Sequence, residues 1–67
     1  MLDDSIAAAV EQFIKKVGFS VQREVERVVR AAVADGKLRP HETFTAQVTV
    51  SSEKIGLMAT IYSKIEL

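Results

Sequence analysis

The 67-residue sequence contains no cysteine and only one histidine. The missing thiols exclude disulfides and thiolate zinc sites, and a single imidazole argues against a histidine-based metal site. We therefore expect no cofactor and no metal. A chain this short hides only about 60% of the surface of its unfolded form, so its stability as a lone chain is marginal. Association with a second copy is the expected source of further stability.

Charge of one sign and long apolar runs are also missing. Nine basic residues balance nine acidic ones, which argues against a nucleic-acid-binding tail. The longest uncharged stretches, residues 43–52 and 55–63, are shorter than the roughly 18 residues of a membrane-spanning helix. Asp3 and Asp4 stand where a secretory signal carries basic residues. We expect a single cytoplasmic domain over residues 1–67, without a membrane segment.

Residues that carry chemistry are scarce as well. His41 and Glu42 are neighbours in an expected turn, and the sequence has no Gly-rich phosphate loop, no metal-spaced set and no nucleophile elbow. His41 is interpreted as a solvated turn residue. We therefore predict a non-enzymatic protein without catalytic residues.

Two segments show the apolar period of amphipathic helices. Gly18 is interpreted as the residue that ends the first helix, Ser20 as the N-cap of the second, and Gly36 as the residue that ends the second. The first segment spans about Asp4–Val17, with Ile6, Val10, Phe13, Ile14 and Val17 on one face. The second spans Ser20–Asp35, with Val21, Val25, Val28, Val29, Ala32 and Val33 on one face.

Strict alternation replaces the helical period after Pro40. A loop at Ser51–Lys54 would pair Val50 with Ile55 and Phe44 with Ile61, and a two-residue slip fits the pattern equally well. The predicted fold is therefore α+β, with two helices followed by an antiparallel hairpin (ααββ). The expected inward residues are Phe44, Ala46, Val48 and Val50 on the first strand, and Ile55, Leu57, Ala59, Ile61, Ile65 and Leu67 on the second.

The expected strands have no charge over residues 43–52 or 55–63, although natural sheet edges are usually protected by charge or proline. One explanation is a short, twisted hairpin whose edges the helices cover. We predict instead that hairpins of two chains join into a four-stranded sheet in a homodimer, with the helices on one face. The candidate contact residues on the outward face are Thr45, Thr49, Thr60 and Tyr62, and the choice of edge stays open.

Three arginines, Arg23, Arg27 and Arg30, form an exposed arginine ridge on the expected second helix. The planar fork of arginine suits phosphate, so nucleic-acid binding is the alternative function; an unidentified protein partner is a further alternative. The pairs Glu26–Arg30 and Glu24–Arg27 have the spacing of helical ion pairs, so a solvated face also explains the ridge. A helix-turn-helix fits less well, because Glu24 occupies the position of a buried aliphatic residue.

The segment Lys15–Glu26 reads KKVGFSVQREVE, and it is followed by Gly36-Lys37-Leu38 and a closing Ile65-Glu66-Leu67. With these motifs the chain resembles a family of short bacterial proteins of unknown function that combine a helix-turn-helix segment, running from Lys-Lys-Val-Gly into a Gln-Arg-Glu helix start, with a C-terminal hairpin. The resemblance implies a fold and a bacterial source. It transfers no catalytic or ligand-binding residue to this sequence.

Overall fold

The computed structural model describes the backbone of residues 2–67 and the side chains of residues 4–67. One α-helix, α1 (Leu2–Ala34), is followed by two strands, β1 (Thr43–Ser52) and β2 (Leu57–Glu66). The α+β class is confirmed. The prediction of two helices is wrong, because residues 18–20 continue the helix.

Helix α1 passes through Gly18 and Ser20 because its apolar stripe stays in phase across them. Spacings of four, four and three residues repeat along the stripe, which gives an 11-residue period close to that of the α-helix. An interior glycine costs a helix only about 1 kcal/mol relative to alanine. The stripe consists of Ile6, Val10, Ile14, Val17, Val21, Val25, Val28 and Ala32.

The predicted end of the helix at Gly36 is confirmed. Gly36 has a φ of 81°, and its amide donates to the carbonyl of Val33 at 3.2 Å. The amide of Lys37 donates to the carbonyl of Ala32 at 2.9 Å. These two bonds form the Schellman motif, which satisfies carbonyls that the last helical turn leaves free. The chain then turns towards β1, and Leu38 is half-buried after the turn.

The two strands form an antiparallel hairpin, as predicted, but the turn lies two residues later than Ser51–Lys54. Its loop is residues 53–56, and Val48 pairs with Ile61 while Phe44 pairs with Ile65. Gly56, with a φ of 67°, fixes this position because it adopts the left-handed conformation that ends the loop. The displacement is an even number of residues, so the predicted inward and outward faces of both strands are unchanged.

The hairpin lies along the helix with its inward face against the apolar stripe. Ile65 and Leu67 lie beside Val25 and Val29, and the hairpin loop lies beside residues 9–14. The hairpin therefore runs back along about two thirds of α1. Half-buried residues of this single layer are Val17, Val21, Val29 and Ala32 from α1, and Phe44, Ala46, Val50, Ala59 and Ile65 from the hairpin.

One helix and two strands leave the interior incomplete. Among the described side chains, none is buried, so Val25, Val28 and Val29 do not form the enclosed core that their periodicity suggests. The accessible surface is 6136 Å², whereas a compact monomer of 7.4 kDa exposes about 4,200 Å². The radius of gyration is 15.7 Å, against about 11 Å for a compact chain of this length.

Candidate functional site

The residues predicted to contact a partner lie on two opposite sides of the molecule. Thr45, Thr49, Thr60 and Tyr62 are exposed on the outward face of the hairpin. Thr49 pairs with Thr60, and their hydroxyl oxygens are 3.2 Å apart. The arginine ridge lies on α1, away from this outward face, and its Arg30 borders a groove with Ile65 and Leu67. The predicted residues are therefore all exposed, but they do not form one surface.

The arginine ridge extends further than the sequence analysis predicted. Because α1 is continuous, Lys16 and Phe19 fall on the same side of the helix, at about 100° per residue. The guanidinium of Arg23 lies 5.9 Å from the centroid of the Phe19 ring, a cation–π distance. This side of α1 combines four basic residues with one exposed aromatic ring: Lys16, Arg23, Arg27 and Arg30, together with Phe19.

Two arginines of the ridge are paired within the helix, as their spacing predicts. The side chain of Arg27 donates to the carboxylate of Glu24, and Arg30 lies 3.6 Å from Glu26. The hydrogen bond from Arg27, and then its charge, lower the pKa of Glu24. The same bond and charge raise the pKa of Arg27. These pairs are solvent-exposed, so they stabilise helical structure weakly and leave less free charge for a polyanion.

A third surface, which the sequence analysis did not single out, is the flank of α1 on the side of β1. We name it the β1 flank and define it as Val10, Phe13, Val28 and Ala31, which fall within an arc of about 60° on the helix. The arc also contains the exposed Glu24, whose carboxylate pairs with Arg27. Val50, Ser51 and Ser52 of β1 line a groove with its Val10–Phe13 end, together with Ile55 of the loop and Leu57 of β2. Val10 is 53% exposed, Phe13 46% and Val28 49%. The two ends of the β1 flank lie on the same side of α1 because the helix is continuous through residues 18–20.

The opposite flank of α1 is more polar and lies on the side of β2. We name it the β2 flank and define it as Glu11, Lys15, Gln22 and Glu26. The half-buried Val29 and the exposed Val33 fall within the same arc. Ile65 and Leu67 line a groove with residues 25, 26, 29 and 30 on this side. Lys15 pairs with Glu11 at 3.3 Å, and Glu26 pairs with Arg30. Charged side chains at i,i+4 spacing are typical of a helix surface that stays in water.

His41 has an unusual backbone conformation, with a φ of 69°, and lies in the exposed turn before β1. Its neighbour Glu42 accepts a hydrogen bond from the amide of Arg39 at 2.8 Å, so this carboxylate stabilises the turn. Within the described part of the chain, no group of three acidic or histidine side chains is placed to hold a metal ion. The helix of residues 2–34 also lacks a stretch apolar enough to cross a membrane.

Together, the single helix, the hairpin and the unburied apolar flank define a small α+β chain with an open interior. The chain belongs to a family described as "Family of unknown function (DUF6494)", whose model matches residues 1–67. This membership agrees with the resemblance to an uncharacterised family, while the shared motif and the bacterial source stay predictions. Searches of curated proteins and of solved structures each returned no match.

Proposed function

We propose that the protein is a non-enzymatic, self-associating module in which hairpins of two chains join edge to edge into a four-stranded sheet. The helices of both chains cover one face of this sheet. The module acts in the cytoplasm as a structural or protein-interaction unit, and its first partner is its own second copy.

The excess accessible surface carries this proposal. The chain exposes roughly 1,900 Å² more than a compact monomer of its mass. Two chains together would hide about 3,800 Å² on reaching normal compactness, which is the range of obligate homodimers. Much of the exposed area is aliphatic or aromatic, and apolar area is what association removes from water.

The free strand edges support the same proposal. A two-stranded sheet has two open edges, and an isolated hairpin is marginally stable in water. All ten residues of β1 are uncharged, so the edge lacks the lysine or inward charge that prevents pairing. Pairing with another copy satisfies the backbone groups along this edge.

Sedimentation at several micromolar concentrations tests the proposal. The expected result is a mass of two chains that persists on dilution and changes little between low and high salt, because apolar burial dominates. A mass of one chain throughout this range would contradict it. Nucleic-acid binding, the alternative, rests on the arginine ridge and predicts affinity that falls steeply with salt. Gel-shift assays at two salt concentrations separate the two functions.

A further inference from the structure

We infer that the second copy pairs through the edge of β1, so that the β1 flanks of the two helices pack against each other around a twofold axis. This inference rests on the proposed self-association and specifies its interface. Three independent features of the chain point to the same side of the molecule.

The first feature is the difference in charge between the strands. β1 carries no charge, whereas β2 ends with Lys64 and Glu66. Both charged residues lie on the outward face, and Thr45 and Thr43 are their registered partners. A lysine on an edge strand is a common protection against pairing with another chain. The unprotected edge is therefore β1.

The second feature is the position of the apolar and polar flanks. The β1 flank offers Val10, Phe13 and Val28 to a neighbour and carries one charged group, Glu24, which pairs with Arg27. The β2 flank offers two ion pairs, Glu11–Lys15 and Glu26–Arg30, to water. A copy that arrives at the edge of β1 covers the apolar flank. A copy that arrives at the edge of β2 would cover the ion pairs and leave Phe13 in water.

The third feature is the spacing of the layers. Strands in a sheet are about 4.8 Å apart, so pairing β1 with its copy sets the midlines of the two hairpins about 10 Å apart. Packed helices are 8–10 Å apart. The helices that cover the two hairpins therefore come into direct contact without moving relative to their strands.

The symmetry also brings complementary ends together. Facing residues of an antiparallel pair point to the same side of the sheet, so a ladder that keeps both helices on one face has its twofold axis beside one residue that pairs with its own copy. Near the midpoint of β1 this residue is Gln47 or Val48. The helices are then antiparallel. The Val10–Phe13 end of one β1 flank meets the Val28–Ala31 end of the other. Each end therefore covers the apolar side chains that the other exposes.

Distances between spin labels on the two copies test the inference. Gln47 and Tyr62 are registered partners on the outward face, and the chain has no cysteine, so Gln47→Cys and Tyr62→Cys each carry a single label. With β1 at the centre, the backbone separation is about 5 Å for position 47 and about 14 Å for position 62, if both lie near the axis. A slip of the ladder lengthens both distances but preserves their order.

Line broadening at short range and pulsed EPR at longer range measure the two distances. A shorter distance at position 47 is the expected result. A shorter distance at position 62, or equal distances, overturns the inference while the homodimer stands. The absence of any dipolar signal in a sample that sediments as one chain overturns the proposed function itself.

A matched pair of substitutions provides a second readout. Val48 and Ile61 are registered partners on the inward face of the hairpin, which the helices cover. Val48→Lys places a charge at the centre of the four-stranded sheet, and we expect the dimer dissociation constant to rise more than about 100-fold. Ile61, which is 62% exposed, stays on the outer strand, so Ile61→Lys should leave it within about fivefold. The reverse order of effects assigns the interface to β2.

Discussion

The two flanks of α1 differ in kind although they belong to one helix. On the β2 flank, Glu11 and Lys15 form an exposed ion pair. On the β1 flank, Phe13 and Val28 are about half exposed and have no polar atoms to offer to water. The hairpin lies against the stripe, but Val10 and Val28, which belong to both the stripe and the β1 flank, stay about half exposed. The comparison teaches that, of the two flanks, the β2 flank carries more of the charge that suits a surface in water.

The largest effect is expected from a charge on the β1 flank. Val28→Asp would place a carboxylate in the proposed helix–helix contact, which costs several kcal/mol when the charge is unpaired. Because residues 4–67 of the lone chain form no enclosed core, dissociation and loss of cooperative melting should occur together. Circular dichroism during thermal melting measures this effect.

Gln22→Asp is the matched control for Val28→Asp, because it introduces the same side chain on the β2 flank. We expect its melting curve to stay close to that of the parent. If both variants melt as the parent does, the flanks do not differ in function, and the β1 flank faces solvent.

The next largest effect is expected from alanine substitutions at two glycines, Gly18 and Gly36. Gly18 lies inside α1 beside the β2 flank, and an added Cβ there would meet no atom within 4 Å. Gly18→Ala should therefore stabilise the fold by up to about 1 kcal/mol through helix propensity. Gly36 has a positive φ, so Gly36→Ala should destabilise it by about 1–2 kcal/mol.

Chemical denaturation measures both glycine variants. The sign of the Gly18 effect also distinguishes one helix from two, because a glycine that ended a first helix would resist replacement as Gly36 does. A destabilised Gly18→Ala would mean that the helix breaks there or that a partner approaches the β2 flank closely.

A smaller effect on folding is expected from the arginine ridge, the third side of α1. Replacing Arg23, Arg27 and Arg30 together by Gln removes exposed charges, which contribute little to stability, so the helical signal and the dimer mass should persist. If the parent shifts nucleic acid in a gel at physiological salt and this variant does not, the result supports nucleic-acid binding and counts against the proposed self-associating module.

The smallest effect concerns Glu24, which lies beside Arg27. Its pKa is lowered by the hydrogen bond and the charge of Arg27, so the folded chain holds the proton less tightly than the unfolded chain. The stabilisation is present above the unfolded pKa of about 4.3 and is lost as the pH falls through the lower folded pKa. Helicity followed by circular dichroism below pH 5 should show a slight loss, and Glu24→Gln should remove this component. An identical acid profile for parent and variant would contradict it.

Local patterns predicted much of the fold. The cap at Gly36, the hairpin and the faces of its strands each depend on a few neighbouring residues, and each is confirmed. The predicted helix break at Gly18 is wrong, because a glycine can either end a helix or lie inside one. Which of the two occurs depends on the apolar stripe over all 33 residues of α1. The register is wrong because an even slip preserves the pattern, so that only the conformation of Gly56 decides it.

The candidate surface was predicted less completely than the fold. Exposure of Thr45, Thr49, Thr60 and Tyr62 follows from strand alternation, and the ion pairs of the arginine ridge follow from helical spacing. The β1 flank could not be recognised from the sequence, because the predicted break at Gly18 places Phe13 and Val28 on different helices. An 11-residue period was the available signal, since it aligns residues 6, 17 and 28 on one line of a single helix.

The short connections of this chain also determine the order in which it can fold. Helix α1 forms from contacts within four residues, and the most distant registered pair of the hairpin, Thr43 with Glu66, is 23 positions apart. Such local contacts close within microseconds, long before two chains at micromolar concentration meet. In the proposed dimer, the slow step of folding is therefore an encounter between two molecules. Refolding should then be second order, and the midpoint of melting should rise with protein concentration.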